Sequence, residues 1–97
     1  MLRHIVMIAF SDKKKAKAYS AQLKEMLIGL KSSISTLNKI EVGLNFSVRP
    51  AAHDIVLIAD FDDENGLNLY REHPEHIKVL DFLKGKLEKS AVVDYYI

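Results

Sequence analysis

The sequence predicts an α+β domain in which helices lie over one face of a four-stranded antiparallel sheet. Three observations carry that expectation. Four short segments have the apolar patterning of strands, two stretches between them space their apolar residues as helices do, and all of it fits in 97 residues. That is the length of one domain, which most often runs to ~100–150 residues.

The first strand is Leu2 to Phe10. Leu2, His4, Val6, Ile8 and Phe10 share one face, and Ile5, Met7 and Ala9 share the other. With both faces largely apolar, it reads as a central strand covered on two sides. Ser11 or Asp12 is the expected N-cap of the helix that follows. That helix carries Tyr19, Leu23, Met26, Leu27, Leu30 and Ile34 as an apolar stripe, with lysines and Gln22 opposite, and three serines weaken its end. Strict alternation then runs from Ile40 to Val48, and Arg49 to Ala52 make a turn. Asp54 to Phe61 is a second two-faced strand. The acidic run Asp62, Asp63, Glu64 suits a helix N-terminus, where carboxylates meet the positive end of the macrodipole. A short helix to about Glu72 and a longer one from Pro74 to about Lys89 follow, the latter with Ile77, Leu80, Leu83 and Leu87 on one side. Val92 to Ile97 is the last strand.

The order is thus β-α-β-β-α-β, the second helical region being broken at His73–Pro74. In so short a chain this order predicts a ferredoxin-like sandwich, one domain over residues 1–97. Helices on one side leave the other face of the sheet to be covered. The apolar content of both faces of the first and third strands makes a second copy the expected cover, in a symmetric homodimer packed sheet to sheet.

Composition excludes several function classes. Lys plus Arg is 14 and Asp plus Glu is 13, a net charge of +1. A nucleic-acid binder should show a strong basic excess, so no nucleic-acid partner is expected. There is no cysteine, which removes disulfides, thiolate nucleophiles and thiolate-bound metal clusters. The apolar run Ile5 to Phe10 is too short for a signal peptide and is followed by Lys13, Lys14 and Lys15. No segment approaches the ~20 apolar residues of a membrane span. The expected setting is cytoplasmic, with no membrane partner.

The densest polar constellation is Tyr70-Arg71-Glu72-His73-Pro74-Glu75-His76. Pro74 fits the first position of a helix, which makes His73 the N-cap and places His76 in the first turn. There the dipole favours a neutral imidazole, the form a general base needs near pH 7. Tyr70, at the end of the preceding helix, can offer a phenol to a carbonyl or enolate oxygen. The structural alternative stands beside this one: His73 caps the helix, His76 is a half-buried core residue, and Tyr70 packs with its hydroxyl toward water. A metal shared by His73 and His76 lacks a further ligand, so neither metal nor cofactor is expected. His4, on a central strand, needs a partner or lines a pocket. His53, in a turn, reads as solvated. The lysines at the start of the first helix read as a solvated face.

Arg3-His4-Ile5-Val6, Ile40-Glu41-Val42-Gly43-Leu44-Asn45, Tyr70…His73-Pro74-Glu75-His76 and Val93-Asp94-Tyr95 together resemble the stress-responsive A/B barrel (Dabb) domain. The HPxH motif with its upstream tyrosine is the most specific part. The resemblance implies a homodimer whose two sheets form a joint α/β barrel. The family includes a plant polyketide cyclase that closes a ring by cofactor-free aldol condensation. Carried over by position, its catalytic pair falls on His76 and Tyr70, and its pocket histidine on His4. Arg71, Glu72 and Glu75 make the motif more charged than a lipid-like substrate favours. Haem-degrading relatives of the same barrel type use a tryptophan, which this chain lacks; cofactor-free quinol-type monooxygenases are the other alternative. The expectations are a dimeric enzyme acting on an unknown small molecule through His76 and Tyr70, a ligand-binding or stress protein without turnover, or a purely structural dimer.

Overall fold

The computed structural model describes Met1 to Ile97. Its elements are β1 (Leu2–Phe10), α1 (Ala16–Ser33), β2 (Lys39–Leu44), β3 (Ile55–Phe61), α2 (Glu64–Glu72), α3 (Pro74–Leu83) and β4 (Leu87–Tyr96). The four strands form one antiparallel sheet in the order β2-β3-β1-β4. This is the expected ferredoxin-like sandwich, with the second helical region present as two helices.

β1 is central because it alone pairs with both β3 and β4. Leu2 lies opposite Phe61 and Tyr96, and Ile8 lies opposite Ile55 and Ser90. The alternating pleat sends Leu2, His4, Val6, Ile8 and Phe10 toward the helices. They meet the stripe of α1, of which Leu23, Leu27 and Leu30 are buried, and close over Phe61, Leu37 and Tyr70. Each such side chain contributes roughly 1.5–3 kcal/mol when fully buried. On the open face, Arg3 and Asp60 are cross-strand partners joined by two bonds, Nε to Oδ1 at 2.9 Å and Nη2 to Oδ2 at 3.0 Å. The Arg3 guanidinium holds the Asp60 carboxyl below the usual carboxylate range.

Four boundaries differ from the sequence expectation, each for a local reason. β2 ends at Leu44 rather than Val48, because β3 begins only at Ile55 and offers no further partner. α3 stops at Leu83 rather than near Lys89, because Gly85 takes φ 76° and turns the chain back. β4 therefore starts at Leu87, not Val92; the spacing of Leu80, Leu83 and Leu87 imitates a helix across a turn. Asp12 caps only the turn before α1, accepting from the Lys14 and Lys15 amides at 3.0 and 3.3 Å, so neither it nor Ser11 is the N-cap. Within α3 the buried side is Val79 and Leu83, whereas Ile77 and Leu80 are half exposed.

No helix is long and apolar enough to cross a membrane.

Candidate active site at the α2–α3 break

The site is built by a helix that stops and restarts. Asp63 caps α2 by accepting from the Gly66 amide at 3.0 Å. At the other end His73 takes an extended conformation, φ −64° and ψ 137°, as a residue before proline prefers. Pro74 opens α3, and the His73 Nδ1 accepts from the Glu75 amide at 3.1 Å. His73 is thus a cap, as its position predicts.

The break brings the last turn of α2 against the first turn of α3. His76 Nδ1 lies 3.2 Å from the Arg71 carbonyl oxygen, one of the acceptors that a helix C-terminus leaves unpaired. A carbonyl only accepts, so Nδ1 carries the proton and Nε2 keeps its lone pair. The half-buried ring is held below the ordinary imidazole pKa, first by loss of solvent and further by the nearby His4 and Arg71, with the carbonyl bond acting in the opposite sense. Burial thus favours the neutral ring, in which Nε2 carries the lone pair.

Tyr70 is the pivot of the cluster. Its ring is 0% exposed and sits 4.5 Å from His76, 5.0 Å from Phe61 and 6.4 Å from His4, centroid to centroid. Its hydroxyl finds no hydrogen-bond partner in the protein. Burial pushes the phenol up to about 12, so it stays protonated and able to donate.

His4 approaches from β1. Its Nδ1 donates to Asp94 Oδ1 at 2.5 Å, and Asp94 Oδ2 accepts from Arg71 Nη2 at 3.4 Å. The carboxylate fixes the His4 tautomer, leaving its other nitrogen free. His4, Tyr70 and His76 are thus brought together from β1, α2 and α3. Asp94 is the member that the sequence reading does not single out. The signal for it is cross-strand: Asp94 is the β4 partner of His4, which is legible only once the register is known. His76, Val79 and Leu83 also share a helical face, a stripe hidden by the histidine at its head.

A cleft of about 300 Å³ opens beside the cluster, lined among others by Leu2, Leu67, Asn68, Arg71 and Asp94. His53 lies across the sheet, half-buried in an open-face cleft with Met7 and Val56. No three His, Asp or Glu side chains are grouped to hold a metal ion. The arrangement supplies a neutral base, a shielded phenol donor and an oriented second imidazole, which are the parts needed to move a proton next to a carbonyl.

Comparison with known proteins agrees with this architecture. Residues 2–97 match the Stress responsive A/B Barrel Domain, Dabb. A dimeric protein of unknown function and ferredoxin-like fold from Bacteroides fragilis superposes with a TM-score of 0.90 at 31% identity, over 99% of this chain and 95% of that one. A Dabb family protein from Mesorhizobium loti gives 0.72 at 23% identity, over 99% and 95%. The hydroxynitrile lyase from Passiflora edulis gives 0.82 at 14% identity, over 99% and 92%, a likeness of fold. No match is found among curated proteins. With the family pattern matched over nearly the whole chain and the fold shared from end to end, this protein belongs to the stress-responsive A/B barrel (Dabb) domain family.

Proposed function

We propose that the protein is a homodimer with a small-molecule site in each subunit, and that this site removes a proton alpha to a carbonyl without a cofactor, as in cyclase- or lyase-type reactions. The observation that carries this reading is the pairing of the His76 ring, bonded through Nδ1 to the Arg71 carbonyl, with the ring of Tyr70, 4.5 Å away between centroids, whose hydroxyl has no partner in the protein. His76 Nε2 takes the α-proton, and Tyr70 donates to the oxygen that gains charge as the enolate forms. The enolate carbon then attacks a second carbonyl, and His76 returns the proton to the new alkoxide. His4, held by Asp94, bounds the substrate.

A second reading, a binding site without turnover, is favoured by the complete burial of Tyr70, which leaves its hydroxyl out of reach of bulk solvent. A thermal-shift screen of aromatic, polyketide-like and quinone-like carbonyl compounds on wild type and His76→Ala tests both. A ligand at a hundred times its dissociation constant adds ~2.7 kcal/mol to stability. Hits are then incubated in D₂O and their α-hydrogens followed by NMR. Exchange catalysed by wild type and lost in His76→Ala is the expected result. Binding without exchange establishes the second reading, and shifts equal in both proteins remove His76 from the site.

A further inference from the structure

The start of α1 runs against the usual chemistry of a helix. Its N-cap position is Lys15, which offers no side-chain acceptor, and its first turn carries no acid. Asp12 accepts from the Lys14 and Lys15 amides, before the helix begins. The amides of Ala16, Lys17 and Ala18 are left without an acceptor in the protein. The positive end of the macrodipole thus has lysines beside it in place of a carboxylate.

A cleft of about 340 Å³ runs along this start, between Lys13, Ala16, Lys17 and Ser20 on the helix and Asn45 and Asp54 beyond β2. Ser20 is 4% exposed, and its Oγ has no hydrogen-bond partner. A serine inside a helix can return its hydroxyl to the carbonyl four residues back. Ser20 does not, so a buried donor stands in the wall of the cleft with no group of the protein to receive it. An adjoining cleft of about 260 Å³ shares Lys13, Asn45 and Asp54 and extends to Arg49, Glu88 and Lys89. Lys13 bridges the two carboxylates, 3.6 Å from Asp54 and 3.5 Å from Glu88. Asp54 also accepts from the Phe10 amide at 2.7 Å. Lys17, Arg49 and Lys89 pair with no carboxylate. Both acids are therefore neutralised from within, and the surplus charge facing the clefts is positive. This is the end of the sheet far from the histidines, since Phe10 lies about 20 Å along β1 from His4.

We infer that the cleft beside α1 is a binding site for a phosphate group, separate from the site proposed above and independent of its chemistry. The Ser20 hydroxyl donates to a phosphate oxygen, Lys17 pairs with the charge, and the uncapped N-terminus of α1 adds its positive potential. Arg49 and Lys89 extend that field over the adjoining cleft. A phosphate dianion matches the excess of four cations over two carboxylates along the two clefts; a carboxylate carries half that charge. Its source is either the free ion or a phosphate ester.

Amide NMR of isotope-labelled protein, titrated with inorganic phosphate, glycerol phosphate and acetate at fixed ionic strength, tests the site. Both phosphates should saturate, moving the amides of Ala16 to Ser20 and of Asn45 to Ser47 while those of Tyr70 to His76 stay in place. Acetate should bind at least roughly tenfold more weakly. Ser20→Ala and Lys17→Glu should each lower phosphate affinity roughly tenfold or more. Lys31→Glu, in the last turn of α1, should leave it unchanged. Lys17 is on the surface and Ser20→Ala removes only an unpaired hydroxyl, so both variants keep the fold, which their spectra check. A tighter hold on glycerol phosphate identifies an ester as the ligand, and an equal or tighter hold on inorganic phosphate identifies the free ion. Shifts that grow without saturating, an equal response to acetate, an equal loss in Lys31→Glu, or full affinity in both Ser20→Ala and Lys17→Glu overturns the site.

Discussion

Tyr70→Phe removes a single oxygen from the centre of the site and should make the protein more stable while disabling it. The ring keeps its packing against Phe61 and His76. The hydroxyl is buried and makes no bond within the protein, so its lost hydration has no compensation from the chain. An unmatched buried hydroxyl costs about 1–3 kcal/mol by protein mutational data. Against this stands the small void left by the oxygen. The net expectation is a gain of about 1 kcal/mol, which for a domain of this size raises Tm by roughly 4–8 °C. Alkaline pH widens the difference. The folded-state phenol titrates at about 12 against an ordinary 10.0, so the unfolded chain ionises first and wild type loses stability as pH rises from 10 towards 12. The phenylalanine variant does not carry that loss. Calorimetry at pH 7 and pH 10.5, at matched protein concentration because association shifts Tm, reads both effects. In the same variant, turnover on any substrate found should fall roughly 10²–10³-fold, as expected for removal of an oxyanion donor. A loss of 1 kcal/mol or more at pH 7 would refute the reasoning, since it would show that the hydroxyl is satisfied in the folded state.

Two further outcomes follow from the same geometry. The His76 pKa lies below its ordinary 6.5 in the folded protein, so the unfolded state takes up a proton first as pH falls. Its contribution is present above pH 6.5 and is lost below it, through the folded value. Urea midpoints of His76→Gln should accordingly decline less than wild type between pH 7.5 and 5, and parallel declines would count against a desolvated His76. Gly85, at φ 76°, and Gly29, in α1, both have open space where a Cβ would stand. Gly85→Ala should therefore destabilise by about 1 kcal/mol through backbone strain alone, whereas Gly29→Ala should stabilise by about 0.5–1 kcal/mol through helix propensity. Chemical denaturation of the two variants checks the opposite signs.

Much of the fold was legible because its signals are local. The two-faced patterns of Leu2–Phe10 and of Asp54–Phe61 read as central strands, and β1 and β3 are the two strands with partners on both sides. The stripe from Tyr19 to Ile34 reads as a helix, and its leucines form the core. Pro74 after His73 states where α2 ends and α3 begins, and the His73 cap confirms it. The misread boundaries are those where a local pattern continues past the end of the element. Val48 keeps the alternation after β3 has run out, and Leu87 keeps the helical spacing after Gly85 has turned the chain.

The sequence by itself determined the order of the elements, the central place of β1, the helix break and the tyrosine–histidine motif lodged in it. Each depends on residues a few positions apart, whose periodicity and backbone preferences act before any distant contact forms. Only the tertiary structure decided that Asp94 serves His4, that the Arg71 carbonyl sets the tautomer of His76, and that the Tyr70 hydroxyl is left without a partner. His4 and Asp94 are joined across 90 positions of chain, and such contacts depend on strand register and on the angle between two helices. Those are settled by the packing of the whole core, which no short stretch of sequence encodes.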